Sequence, residues 1–153
     1  MLSKKTKYAL KAMLALAKEH GHGPMLISEL ARREGIPKKF LEQILLELKN
    51  KAILQSVRGK GGGYMLGKPP EAITFGEIVR LMEGPLAPLP CTSQSSYRRC
   101  EECSDEETCG IRLIMKEVRD ETSRILDRNS LADVLKEVES LKHRAKKVMM
   151  YNI

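Results

Sequence analysis

Between residues 28 and 66 the chain is told twice to turn sharply. Two helix-forming stretches meet across Gly35-Ile36, and a glycine-rich hairpin follows the second of them. Ser28 reads as an N-cap before Glu29-Leu30-Ala31-Arg32-Arg33-Glu34, which Gly35 stops. Pro37 fits the first position of the next helix, where its missing N–H costs nothing. Leu41, Ile44, Leu45 and Leu48 then recur at the three- and four-residue spacing of a buried stripe, down to about Asn50. Two helices joined by so short a turn are the helix-turn-helix signature. Ile53-Leu54-Gln55-Ser56-Val57 reads as a strand, Arg58-Gly59-Lys60-Gly61-Gly62-Gly63 as a turn, and Tyr64-Met65-Leu66 as the returning strand. A hairpin in that place is a wing.

The flanking pattern completes one unit over residues 1–84. Residues 4–19 carry Tyr8, Leu10, Ala12, Met13, Leu16 and Ala17 at helical spacing, ended by Gly21 and Gly23-Pro24. Thr74-Phe75-Gly76-Glu77 reads as a capping box opening a helix to about Glu83. Pro85, Pro88 and Pro90 punctuate residues 85–108, which read as a loop. The remainder, residues 109–153, begins with a long helix from about Gly110 to Arg128. On it Ile111, Val118 and Ile125 lie seven residues apart, with Ile114, Met115 and Thr122 between them. That seam suits packing against the same helix of a second subunit, with an intramolecular core helix as the alternative. Ser130 is expected to cap a last helix over residues 131–141, and residues 142–147 to form a basic tail. With aromatics at 4% and no Trp, the expected fold is mainly α: a winged helix-turn-helix with a small β-hairpin wing, plus a long C-terminal dimerisation helix.

Charge is unevenly placed. Residues 1–70 hold 14 Lys and Arg against 5 Asp and Glu, whereas residues 71–153 hold 13 against 15. The basic half suggests a polyanion partner, although an ordinary solvated surface accounts for charge alone equally well. No apolar run approaches the roughly 18 residues that span a bilayer. No secretory leader is read either, so a cytoplasmic protein is expected.

Turning Leu41, Ile44, Leu45 and Leu48 inward sends Lys39, Glu42, Gln43 and Leu46 outward, with Lys38 at the helix start. Gln reads adenine, Glu accepts from cytosine, and Lys reaches phosphate or guanine. Arg58 and Lys60 sit on a ribbon thin enough for a minor groove. Lys38, Lys39, Glu42, Gln43, Arg58 and Lys60 are therefore the candidate contacts to double-stranded DNA. The glycines do not form a nucleotide-binding loop, because the GK[ST] ending and a following helix are missing.

All four cysteines fall in one stretch, as Cys91, Cys100, Cys103 and Cys109, with gaps of eight, two and five residues. In a reducing compartment such thiols are seldom structural disulfides. An iron–sulfur cluster, 2Fe-2S or 4Fe-4S, fits three or four of them. Zinc is the lesser alternative, since only Cys100-Glu-Glu-Cys103 has knuckle spacing. Redox-active thiols and inert cysteines also fit. His20, His22 and His143 are the only histidines. No nucleophile has a recognisable base partner, so an enzyme is not expected.

Lys7-Tyr8-Ala9-Leu10-Lys11-Ala12-Met13, Phe40-Leu41-Glu42-Gln43-Ile44-Leu45, Ser56-Val57-Arg58-Gly59-Lys60-Gly61-Gly62-Gly63-Tyr64-Met65-Leu66-Gly67 and Ile73-Thr74-Phe75-Gly76-Glu77-Ile78 closely resemble the IscR-type winged-helix regulators, the Rrf-two family. The resemblance extends to about residue 139. It implies a dimeric transcription factor whose long C-terminal helix crosses that of its partner, and the expectation drawn from it is a repressor or dual regulator that binds a palindromic operator. It places Glu42 and Arg58 at base-reading positions and implies a cluster in the loop before the long helix. Cys91, Cys103 and Cys109 match the family's three-cysteine pattern. Where the iron–sulfur branch has a histidine ligand, this chain has Arg112, which stays protonated and cannot ligate. The nitric-oxide branch uses an N-terminal Asp, and the matching position here is Tyr8. Cys100 is the natural candidate for an all-Cys set, with water or a small thiol as alternatives. The cysteine-metabolism repressors of the same family carry no cluster and act through a partner enzyme. Glu83-Gly84-Pro85 and Met149-Met150-Tyr151 resemble that branch, which makes a protein-controlled, cluster-free regulator the alternative.

Overall fold

A computed structural model describes residues 2–152, so the outermost residues of the first and last expected units, Met1 and Ile153, lie outside the description. Helix α1, Lys4–Lys18, starts where the Ser3 hydroxyl accepts from Thr6 N at 3.2 Å. It buries Ala9, Ala12, Met13, Ala15 and Leu16. The alanines let α2 (Ile27–Glu34) and α3 (Lys38–Asn50) approach closely. Gly35 takes the left-handed conformation, φ 64 and ψ 40, that ends α2 and swings the chain into α3. Leu41, Ile44, Leu45 and Leu48 are buried, as their spacing predicts.

Two starts differ from expectation. Helix α2 begins one residue before Ser28 and has Leu26 as its N-cap, with no side-chain cap bond. The cause is tertiary. Met25 is paired to Tyr64 by reciprocal backbone bonds of 2.8 Å, which holds the chain extended up to Leu26. Ile27 then enters the core while Ser28 stays exposed. Pro37 is the N-cap of α3 rather than its first helical residue, because its ψ of 125 is extended.

The hairpin pairs β1, Leu54–Val57, with β2, Gly63–Leu66, in the register Leu54↔Leu66 and Val57↔Gly63. Each strand boundary moves by one residue: Ile53 turns into the core and Gly63 joins the ladder. Helix α4, Phe75–Glu83, is capped by Thr74, whose hydroxyl accepts from Glu77 N at 3.1 Å. The expected box is only half formed, since the Glu77 carboxylate takes the Lys68 ammonium at 2.7 Å instead. At the other end of α4, Glu83 accepts from Ser3 N at 2.7 Å and from the Thr6 hydroxyl at 2.5 Å. These bonds from Ser3 and then Thr6 hold its carboxyl down to about 2 and tie α4 to the start of α1.

Helix α5, Gly110–Arg128, has the predicted bounds, and α6 spans Leu131–Tyr151. Ser130 and Asp133 form a full capping box at its start. Helix α6 runs ten residues past the expected end, absorbing the residues read as a basic tail. Nothing between residues 131 and 151 breaks a helix: there is no Gly or Pro, and Lys, Arg, Ala and Met are strong helix formers. Leu131 N bonds the Ile73 carbonyl at 2.9 Å and its side chain is fully buried, so the turn between α5 and α6 is fastened to the start of α4. The core is thus built by α1 to α4, the hairpin and the first turns of α6. Helix α5 contributes no buried residue to it.

Candidate nucleic-acid interface and cysteine loop

Lys38, Lys39, Glu42, Gln43 and Leu46 are all exposed on one side of α3, opposite its buried stripe. Arg58 and Lys60 are exposed on the wing. Among the described residues, no carboxylate lies within 4.0 Å of Lys38, Lys39, Arg58 or Lys60. Other cations of the N-terminal half are already engaged: Lys5 with Glu47, Arg33 with Glu19, and Lys68 with Glu77. Lys38, Lys39, Arg58 and Lys60 are therefore free to meet a polyanion at helix and wing. Lys4, Lys7, Lys18, Arg32, Lys49 and Lys51 likewise pair with no carboxylate among the described residues, so the whole N-terminal half keeps a positive surface.

The wing is held in place, not merely attached. A Cβ on Gly62 would lie 2.2 Å from the Val57 carbonyl oxygen, and one on Gly63 would lie 2.1 Å from that of Met25. Only glycine permits this approach, and through it β2 is bridged to the chain entering α2. The wing is thereby fastened to the start of the helix-turn-helix.

The loop after α4 is ordered by its own bonds. A single 3₁₀ turn, Pro90–Thr92, is followed by Arg98 N bonding back to the Pro90 carbonyl at 3.2 Å. Tyr97 donates to Glu106, which raises the phenol above its usual value, and Asp105 accepts from Thr108 and Glu107. All four cysteines are free thiols: Cys91 buried, Cys100 exposed, Cys103 and Cys109 half-buried. Cys91 and Cys100 line one open cavity of about 360 Å³ together with Arg98 and Arg99. Cys109 caps α5. Among the described residues, no three Cys, His, Asp or Glu side chains are gathered as a set that could hold a metal.

Sequence reasoning missed the loop's fastening to α5. Arg112 Nε donates to the Cys91 carbonyl at 3.3 Å, and Arg119 Nη1 donates to the Thr92 carbonyl at 2.5 Å. On the same helix Asp127 takes both terminal nitrogens of Arg80 of α4, at 2.6 and 2.8 Å. The side-chain bond from Arg80 lowers the Asp127 carboxyl. A spacing of seven residues puts Arg112 and Arg119 on one helix face, which was the available signal. Away from that face, Ile111, Ile114, Val118 and Ile125 are 68%, 50%, 43% and 45% exposed.

Helix-turn-helix, bridged wing and unpaired cations together define a winged-helix DNA-binding protein. The chain belongs to the Rrf2 family: the family model described as an iron-dependent transcriptional regulator matches residues 2–137. An rrf2-like helix-turn-helix regulator of Rhodobacter capsulatus is 44% identical over 138 residues, 88% of this chain and 92% of that relative. The solved structure of CymR, the global cysteine regulator of Bacillus subtilis, superposes with a TM-score of 0.75 at 33% identity, covering 90% of this chain and 97% of that one. The structure of IscR from T. potens gives 0.74 at 30% identity, covering 92% and 90%. The chain is a transcriptional regulator, and its relatives are named as regulators rather than enzymes. Among the described residues no helix is long and apolar enough to cross a membrane.

Proposed function

We propose that the protein is a cytoplasmic homodimeric repressor that grips a palindromic operator and whose grip is set by an iron–sulfur cluster or by the thiol redox state of its cysteine loop. Residues 1–84 form the reading unit, 85–108 the sensing loop and 109–153 the spine that joins two copies. One observation carries the reading. The loop holding Cys91, Cys100 and Cys103 is hydrogen-bonded to α5, the helix capped by Cys109, while an apolar stripe on that helix lies bare.

The donor chemistry fits a cluster, since four unpaired thiols share one segment. Cys91, Cys103 and Cys109 would hold it, and Cys100, which faces the cavity beside Cys91, would complete the set. Zinc on the same thiols is the lesser alternative. Arg112 takes no part as a ligand, because its guanidinium stays charged and its Nε is given to a carbonyl. When bound, a cluster supplies a centre sensitive to oxidants. The chain's own part is to hold the loop against α5 and to pass its shape on.

Protein purified without oxygen is expected to be brown and to contain iron and sulfide. Cys103→Ala is expected to remove the visible absorption while leaving the helical content unchanged. Colourless protein with one zinc per chain would refute the cluster. Colourless, metal-free protein would favour the second reading, a cluster-free regulator controlled by a protein partner, which the likeness to the Bacillus subtilis cysteine regulator supports.

At the reading face, Arg58→Ala is expected to weaken operator binding by about 1–3 kcal/mol, with little change on unrelated duplexes. Lys60→Ala is expected to weaken both alike and to lower the salt dependence by about one counterion. Competition binding at several salt concentrations separates the two. Equal losses on both duplexes for Arg58→Ala would assign Arg58 to phosphate alone.

A further inference from the structure

The operator face needs nothing from Arg119, yet Arg119 is the most enclosed cation in the α5 ion pairs, its side chain only 12% exposed. Charged groups are drawn out of water only where their donors are used. Here Nη1 holds the Thr92 carbonyl, while Nε and Nη2 hold Asp120 at 2.8 and 2.5 Å. Gripped from two sides, the planar guanidinium has a fixed direction. Arg112, two turns earlier, makes the matching bond to the carbonyl of Cys91 itself.

The chain of connections then continues away from the loop. Asp127 on α5 forks with Arg80 on α4. Glu83, at the end of α4, is bonded to Ser3 and Thr6 at the start of α1. Helix α1 packs against α2 and α3 in the core of the reading unit. An N–H···O bond is lost once it stretches well past about 3.2 Å or bends below about 120° at the hydrogen, so a sizeable shift of the 91–92 peptides must either carry Arg119 along or break the bond. There is room for such a shift. A cavity of about 140 Å³ lies at this junction, lined by Arg80, Ser93, Ser95, Arg119 and Ser123 among others.

We infer that Arg119, assisted by Arg112, is the positioning residue through which the state of the cysteine loop sets the placement of α5 against the reading unit, and so the separation of two reading heads. It neither ligates a metal nor touches DNA. The inference rests on the proposed role of the loop as a sensor. It adds the specific wire: loop peptide to α5, α5 to α4, α4 to α1.

The test compares wild type, Arg119→Gln and Arg119→Lys on a duplex selected by oxygen-free wild-type protein from a randomised pool. Binding is measured for protein as isolated without oxygen and after oxidation, alongside visible absorption and the mass of the species in solution. Wild type is expected to differ between the two states by about 5–150-fold, the usual range of allosteric coupling. Both variants are expected to keep the wild-type absorption and mass while the difference shrinks to within about twofold, because lysine keeps the charge but cannot grip both sides. The lysine variant also guards against misfolding of the glutamine one. A wild-type-sized response in either folded variant overturns the relay and leaves the sensor intact. A wild type that binds equally in both states overturns the sensor, and the relay falls with it.

Discussion

Gly63→Ala is expected to detach the wing and to lower both stability and operator affinity. The new Cβ would lie 2.1 Å from the Met25 carbonyl oxygen, 2.4 Å from its carbon and 2.9 Å from Leu26 N, all backbone atoms that cannot swing aside. The φ of 144 at this position adds strain for any L side chain. Relief requires breaking the Met25–Tyr64 bridge, two backbone bonds worth about 1 kcal/mol each. With strain of about 1–2 kcal/mol added, the total is about 3–4 kcal/mol. For a chain of this size that lowers the melting temperature by roughly 6–16 °C. Operator affinity is expected to fall at least about tenfold, because the contacts proposed for Arg58 and Lys60 would no longer be made in step with those of α3. Gly59→Ala supplies the contrast: φ is 94 there, but no atom lies within 4 Å of the added Cβ. It is expected to cost only the strain, about 1–2 kcal/mol. Thermal melts and gel shifts on the two variants check this, and equal losses would show that the bridge is unimportant.

Met25 also explains what the sequence could and could not reveal. The stop at Gly35, the stripe on α3, the hairpin and the bounds of α5 are local in origin, set by helical spacing or by a turn residue, so they were legible. The start of α2 was not, because Tyr64, 39 positions away, decides where the chain upstream of Ser28 stays extended. The capping box at Thr74 was half legible for a similar reason: Lys68 competes for Glu77, and a motif does not show competitors. The length of α6 was misjudged because a run of cations looks like a tail, although Lys, Arg and Ala, which make up most of it, are good helix formers. At the site, the outward face of α3 followed from periodicity, and the crowding of the thiols followed from counting. The bonds of Arg112 and Arg119 did not, since their acceptors are carbonyls 21 and 27 residues earlier, and every residue has a carbonyl.

Placing two carboxylates in the α5 stripe, as Ile114→Glu with Val118→Glu, is expected to yield a monomer. Ile111, Ile114, Val118 and Ile125 form one band on a helix that has no fully buried residue. A contiguous exposed apolar band of this kind marks an interaction surface. In a two-fold pairing of α5 with its copy, each substitution enters twice and like charges face each other. Burying unpaired carboxylates costs several kcal/mol or more, which the proposed pairing would have to overcome. Operator affinity is then expected to drop by more than about a hundredfold, because a single reading head loses the effective concentration supplied by the second. Leu113 is the internal control. It is 69% exposed, as bare as any residue of the band, but it sits well off the band's direction on the helix. Leu113→Glu should leave both mass and binding unchanged, so exposure alone is not what sedimentation and gel shifts would be measuring. A double variant that still sediments as a dimer, or a Leu113→Glu protein that does not, would refute the proposed pairing of two copies through the α5 band.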